Sequence, residues 1–417
     1  MYPWQTADNG SEETQELHFN PVSGKWGPDL SSRQRHVSIA VAYAVWEYFY
    51  CTNDLEFLHN YGAEILLQTT RFWASIAEYS ESDGRYHIRG VMGPDEFHEK
   101  DPGANEDEGG LDDNAYTNIM ASWLMHKTIE TLEYLPKSEM KILEEKTGFK
   151  PEEMERWKDI VSKMNVVISE DRIISQFAGY MELKELDWEA YRAKYKSIGR
   201  LDRLLKAEGD SPDRYKLSKQ ADSLMTYYLL SPGQVKHILE LMGYDVGDEL
   251  ELMENNYEYY VRRTSHGSTL SFIVHAGILK YLNSHRNDMW RWFLTALESD
   301  INDIQGGTTE EGIHTGVMGG TLDLVMKSFA GISVYKDAVE IDPNLPAHWR
   351  RLSFKLTHRR NWFELEVTPQ EVRVRKLAES KKNPVDILVG GQRLSLKERE
   401  SVSVELAAAK IPTAAQT

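Results

Sequence analysis

The chain has 417 residues, 41% of them apolar, which is enough to bury a large core divided over two or three domains. A formal charge of -18 repels nucleic acid and anionic membrane surfaces, so neither is an expected partner, and any anion-using site must build its own cationic pocket. The lone cysteine, Cys51, allows no intrachain disulfide, no apolar run approaches the ~18–20 residues of a membrane span, and the stretch Met1-Tyr2-Pro3-Trp4-Gln5 has no secretion-signal pattern; the expected compartment is the cytoplasm.

Taken in chain order, residues 1–35 are turn-rich and predict loop laid over other structure. Apolar residues at helical spacing then predict helices over 36–50 and 55–79, joined by the capping triplet Thr52-Asn53-Asp54. Residues 82–93 predict a small hairpin, turning at Ser82-Asp83-Gly84. Further helices are expected over 114–134, 151–168, 216–229, 249–263, 269–284, 287–299 and 317–330, with a charged, tyrosine-rich and only partly ordered excursion over 170–215. From about Pro346 apolar and polar residues alternate with period two, which predicts a small antiparallel β unit of about 70 residues. The expectation is therefore a helical domain over 1–345 and a β domain over 346–417. Antiparallel helix pairs arranged in a ring make an α/α toroid, and the predicted helices are too few for six hairpins. The chain thus reads as part of a longer protein, with the first hairpins upstream.

Four segments carry chemistry. In Gly90-Val91-Met92-Gly93-Pro94-Asp95-Glu96-Phe97-His98, two carboxylates and a histidine follow the hairpin on a loop that Gly93-Pro94 keeps from becoming helical. Cleaving a glycoside requires a carboxylic acid to protonate the leaving oxygen, and Asp95 or Glu96 supplies one; an acidic surface loop with a helix cap fits the residues equally well. Arg262-Arg263-Thr264-Ser265-His266-Gly267-Ser268-Thr269 precedes an apolar helix, and a helix start rich in hydroxyls and arginines suits phosphate, although an ordinary N-cap has the same composition. The glycine-rich stretch from Gln305 to Gly320 also precedes a helix; His314 could meet an anion and Glu310 or Glu311 could act as a base. Lys219-Gln220-Ala221-Asp222 opens another apolar helix, with Lys219 either a surface lysine or a donor to sugar hydroxyls.

The order and spacing of these motifs, together with Trp4-Gln5 and Asp113-Asn114-Ala115-Tyr116-Thr117-Asn118, resembles glycoside hydrolase family 65, the maltose, trehalose and kojibiose phosphorylases and some hydrolases. The resemblance covers essentially the whole chain. It implies an (α/α)6 toroid, incomplete at its start, with a small C-terminal antiparallel β domain; the family's N-terminal β-sandwich and its GHxFWD segment, whose aspartate grips the glucose, have no counterpart here. It implies that Glu96 is the general acid. It further implies that Trp4, Gln5, Asp95, His98, Lys219 and Gln220 line the sugar site, and that His266, Ser268, Thr269 and His314 hold phosphate. Two positions depart from the family: Gln5 stands where glutamate is usual, and Val261 where a glutamate often follows two tyrosines. The implied reaction is inverting phosphorolysis of an α-glucoside to β-glucose 1-phosphate, with inorganic phosphate as co-substrate, no metal and no organic cofactor. An inverting hydrolase using Glu310 or Glu311, and an inactive sugar-binding fragment, are the alternatives; a homodimer is left open. With apolar helix faces uncovered and the glucose-gripping segment missing, the chain alone is expected to self-associate and to turn over little.

Overall fold

The computed structural model describes residues 1–102, 104, 109–282, 285–305 and 309–406. Fourteen helices carry α1 (Val37–Thr52), α2 (Leu55–Phe57), α3 (Ala63–Ile76), α4 (Ala115–Tyr134), α5 (Lys137–Thr147), α6 (Pro151–Lys163), α7 (Trp188–Lys194), α8 (Leu201–Ala207), α9 (Asp222–Leu229), α10 (Pro232–Leu241), α11 (Glu249–Val261), α12 (Thr269–Ile278), α13 (Arg286–Glu298) and α14 (Thr315–Asp323) among the described residues. Local chemistry sets many of their ends. Asn114 caps α4 by accepting from Thr117 N at 3.0 Å, Ser231 and Gln234 form a reciprocal box at the start of α10, and Gly148 closes α5 in the left-handed region at φ 64°.

The helices form two layers. α1, α4, α9, α12 and α14 pack one against the next along an inner arc, while α3, α6, α11 and α13 back them on the outside. Burial follows this placement: Ala115 through Met125 of α4 are buried without a break, as a helix covered on all sides requires. This is the layering of an α/α toroid, and one continuous apolar core runs through it.

Several elements differ from the periodicity reading. The helix expected over 55–79 is broken by a wide turn at Leu58–Gly62 and gives way to a strand, β3 (Ala77–Ser80), which pairs with β4 (Arg85–Ile88). Helices α5 and α10 were not expected, although each sits between a proline or glycine start and stop. Residues 1–35 contain a hairpin of β1 (Leu17–Asn20) and β2 (Lys25–Pro28), pinned by Asn20 Nδ2 donating to Arg203 O at 3.0 Å. The 170–215 excursion is ordered: it holds α7 and α8 and a small core of its own, in which Leu186, Leu201, Leu205 and Leu217 bury Phe97 of the carboxylate loop. Its helices are short, so periodicity had too few turns to reveal them.

The C-terminal strands begin at Ile332, ahead of Pro346. They are β5 (Ile332–Tyr335), β6 (Ala338–Ile341), β7 (Leu352–His358), β8 (Asn361–Val367), β9 (Glu371–Ala378), β10 (Asp386–Val389), β11 (Gln392–Leu394) and β12 (Ser401–Glu405). Two four-stranded sheets, ordered β11-β10-β6-β5 and β12-β9-β8-β7, share a core that includes Val339, Phe363, Val374 and Ile387. Every pairing is antiparallel except that of β10 with β6. Arg359 ties this domain to the end of α1, its backbone N donating to Cys51 O at 2.6 Å and its Nε to Tyr50 O at 3.2 Å.

Candidate active site

The carboxylate loop leaves β4 at Gly90, held in the left-handed region at φ 64°. Val91 exchanges backbone hydrogen bonds with Leu111 at 3.1 and 2.7 Å, and Met92 N donates to Arg33 O at 3.0 Å. Gly93 then passes so close to α9 that a Cβ there would overlap Asp222 Oδ2 and Asn114 Nδ2, so only glycine fits. This clamp turns Asp95 inward. Its N donates to Asp222 Oδ1 at 2.6 Å, its Oδ1 accepts from Lys219 N at 2.6 Å, and its Oδ2 accepts from His98 Nδ1 at 2.7 Å. The other ring nitrogen of His98 faces Tyr215 O at 3.0 Å. A carbonyl only accepts, so both ring nitrogens of His98 are used as donors; burial pulls its pKa down, but the Asp95 hydrogen bond and charge outweigh burial and raise it.

Asp95, His98 and Gln220 are all buried, and Gln220 Nε2 donates to Pro94 O at 2.7 Å. Behind them, burial and the neighbouring Asp95 charge push the Asp222 carboxyl well above the usual range, although Asn114 Nδ2 at 2.5 Å and Asp95 N both donate to it. Glu96 is different. It adopts φ 60°, its side chain is 35% exposed, and Oε2 meets Lys219 Nζ at 2.8 Å. A non-glycine residue in the left-handed region costs energy and persists only where its surroundings impose it. The loop thus spends one carboxylate on its own support and presents the other outward.

Trp4 reaches the same loop through His36, at 5.6 Å between rings, and His36 Nδ1 lies 3.4 Å from Met92 O. Burial lowers the His36 pKa to about 4, so its ring is neutral at pH 7. Gln5 is exposed; its backbone N and that of Trp4 both donate to the Glu12 carboxylate, at 3.2 and 2.9 Å.

Lys219 links this loop to the second segment. Ser218 N donates to Arg263 O and Ser265 N to Ser218 O, both at 2.8 Å, which lays 218–219 alongside 263–265. A Cβ on Gly267 would overlap Gly199 O and stand 3.2 Å from Lys219 Cγ. Ser268 is the N-cap of α12 and accepts from Leu270 N at 3.3 Å, with buried Thr269 as the first helical residue. His266, at φ 55°, bonds Ser271 Oγ through Nδ1 at 2.8 Å; burial pulls its pKa well below the usual range, so it is neutral. The two arginines do not face an anion. Arg262 pairs with Glu258 at 2.7 Å and Arg263 with Glu185 at 2.9 Å.

The third segment starts α14 beside α12: a Cβ on Gly316 would lie 3.2 Å from Leu270 Cδ2. His314 is the N-cap residue, its Nδ1 2.6 Å from Asp300 Oδ1 and its N donating to Asp300 Oδ2 at 2.9 Å. Gln305 Nε2 donates to His266 O at 3.4 Å, closing the path back to the second segment. Glu310 is exposed; the side chain of Glu311 and residues 306–308 lie outside what is described. Sequence reasoning missed Asp222 as the anchor of Asp95, His36 as the bridge to Trp4, and Asp300 as the partner of His314. Asp222 had a signal, a carboxylate opening a strongly apolar helix; Asp300, fourteen residues from its histidine, had none.

Comparison with known proteins gives the family. Residues 1–323 match the glycosyl hydrolase family 65 central catalytic domain and residues 332–396 the family 65 C-terminal domain. An uncharacterized glycosyl hydrolase of Mycobacterium tuberculosis is 45% identical over 88% of this chain and 27% of its own length. A trehalose 6-phosphate phosphorylase of Lactococcus lactis is 44% identical over 85% of this chain and 44% of its own, and a kojibiose phosphorylase of Caldanaerobacter subterraneus is 35% identical over 95% and 48%. The chain therefore spans about half or less of the length of these relatives. A putative kojibiose phosphorylase from the human microbiome superposes with a TM-score of 0.74 at 23% identity, over 98% of this chain and 53% of that one, which shows the shared fold. On these grounds the chain belongs to glycosyl hydrolase family 65.

Proposed function

We propose that this chain carries the acid and the anion site of an inverting α-glucoside phosphorylase. The observation that carries the reading is the position of Lys219, whose Nζ pairs with Glu96 at 2.8 Å while its stem lies against Gly267 at the entrance to the α12 helix start. One side chain thus spans a carboxyl group and a helix N-terminus suited to phosphate. Glu96 protonates the glycosidic oxygen. Phosphate attacks the anomeric carbon from the opposite face, held at the start of α12 by Ser268 and Thr269, and by His314. Phosphate stands in for the activated water of an inverting hydrolase, so no second carboxylate is needed. Asp95, His98 and Gln220 act by holding the loop, and Trp4 supplies an aromatic wall.

The substrate class is an α-glucoside. Trehalose 6-phosphate comes first among the sugars to assay, because the relative named for it is 44% identical against 35% for the kojibiose enzyme. The test is to incubate a form extended to the length of the family relatives with trehalose 6-phosphate, trehalose, kojibiose and maltose, with and without phosphate, and to follow glucose 1-phosphate and free glucose. We expect phosphate-dependent β-glucose 1-phosphate from one of them, reduced about 10²–10⁴-fold in Glu96→Gln with the fold retained. Glucose release that ignores phosphate would replace phosphorolysis with hydrolysis, and a Glu96→Gln rate within threefold of the parent would remove Glu96 from the role.

A further inference from the structure

We propose that Lys219 couples the anion site to the acid: it pairs with Glu96 in its carboxylate form, and an anion on the 264–269 loop draws the ammonium away, so that Glu96 takes up the proton it has to donate. The inference deepens the phosphorylase reading and rests on it.

A general acid must carry its proton, whereas the 2.8 Å pair between Lys219 Nζ and Glu96 Oε2 is an ion pair only when Glu96 is charged. The lysine is fixed at its root and free at its tip. Its backbone N is held by Asp95 Oδ1 at 2.6 Å, and its Cγ rests against Gly267 between the Glu96 loop and the start of α12. Rotation beyond Cγ is enough to move the charge from one side to the other.

Lys219 joins Arg192 and Arg291 as a cation near the anion loop; Arg291 pairs with Asp288 at 3.1 Å and Arg192 lies over the Trp188 ring. Arg262 and Arg263 are committed to Glu258 and Glu185, and His266 is neutral. A dianion arriving at the loop outcompetes a single carboxylate for the ammonium, since it offers twice the charge and more acceptor oxygens. The other titratable groups around the pair are accounted for. Asp95, His98 and Asp222 bond one another behind the loop, His36 is neutral at pH 7, and Asp202 near Lys219 is tied to Arg200 at 2.7 Å.

The proton balance closes. Glu96 gains one proton from solvent as Lys219 turns to phosphate. That proton passes to the leaving oxygen as the bond from C1 to that oxygen breaks and the bond from phosphate oxygen to C1 forms. The regenerated carboxylate recovers Lys219 when the product leaves.

Sulfate tests this without phosphate's own titration near neutrality. Calorimetry of sulfate binding at pH 7, in two buffers of different ionisation enthalpy, counts protons taken up on binding. We expect uptake approaching about one proton per sulfate in the parent protein and in Lys219→Arg, and none in Lys219→Gln. Glu96→Gln removes the competitor for the ammonium, so it should bind sulfate roughly two- to fivefold tighter, again without uptake. Binding without uptake in the parent, undiminished uptake in Lys219→Gln, or unchanged or weaker sulfate affinity in Glu96→Gln would each overturn the coupling and leave the phosphorylase reading standing. Failure of the parent to bind sulfate at all would remove the anion site itself, and both readings with it.

Discussion

Asp95 and Glu96 are neighbours of the same chemical type with opposite fates. Asp95 accepts from Lys219 N and His98 Nδ1 in a buried nest, while Glu96, forced to φ 60°, turns toward Lys219 and solvent. A carboxylate with its acceptors filled by short hydrogen bonds is poorly placed to give or take protons, and one with a single cationic neighbour at an opening is well placed. The His98–Asp95 pair also makes a testable statement about stability. The folded pKa of His98 is raised above its reference of 6.5, so the pair's contribution is fully present below pH 6.5 and is lost as pH rises through the folded value. The difference in melting temperature between the parent and His98→Asn should therefore be largest near pH 6 and shrink toward pH 9. A difference that grows with pH would show that the ring is neutral in the folded protein.

At the scale of elements, two helix starts form the proposed anion site. α12 and α14 begin side by side, and neither Ser268 nor His314 is idle: Ser268 caps its own helix and His314 holds Asp300. Ser268→Ala should then cost helix stability, about 0.5–2 kcal/mol for a lost N-cap, and also raise the KM for phosphate more than that for sugar. His314→Ala should raise the phosphate KM as well, and it frees the Asp300 carboxylate, whose pKa the His314 hydrogen bond holds below the ordinary range, to repel the anion. Steady-state kinetics with phosphate varied at fixed sugar measure this. Equal changes in both KM values would place these residues outside the anion site. The two helix starts themselves were visible beforehand, because a Ser-Thr cap and a glycine-rich stretch each lead into an apolar run. The adjacency of the two helices was not, since it comes from Gly316 and Gly320 letting α14 close on Leu270 and Ile273.

For the molecule as a whole, the β domain meets the helical layer at the end of α1. Arg359, buried and at φ 49°, gives its N and Nε to the carbonyls of Cys51 and Tyr50, and Asn53 Nδ2 donates to Asn383 Oδ1 at 2.9 Å. Those carbonyls belong to the last turn of a helix, where backbone acceptors lack helical partners, so a cation there satisfies groups that nothing else would. Arg359→Ala should lower stability by about 1.5–3 kcal/mol, the usual worth of a hydrogen bond from a charged donor, and should speed proteolytic cutting between the two domains. An unchanged melting curve together with an unchanged cutting rate would show that the junction is held elsewhere.

By itself the sequence determined the helical class, the period-two C-terminal region and the four chemistry-bearing segments. Each of these is local: apolar spacing, glycine and proline punctuation, and capping residues act within a turn or two of the chain. Tertiary structure alone decided that Asp222 would hold Asp95, that Lys219 would stand between Glu96 and Gly267, and that the 170–215 excursion would fold around Phe97. It also decided that β10 would pair parallel to β6 while every other named strand pair among the described residues runs antiparallel. These contacts join residues far apart in the chain, and they depend on which helix faces are brought together when apolar surface is buried. Spacing along one segment carries no record of that choice.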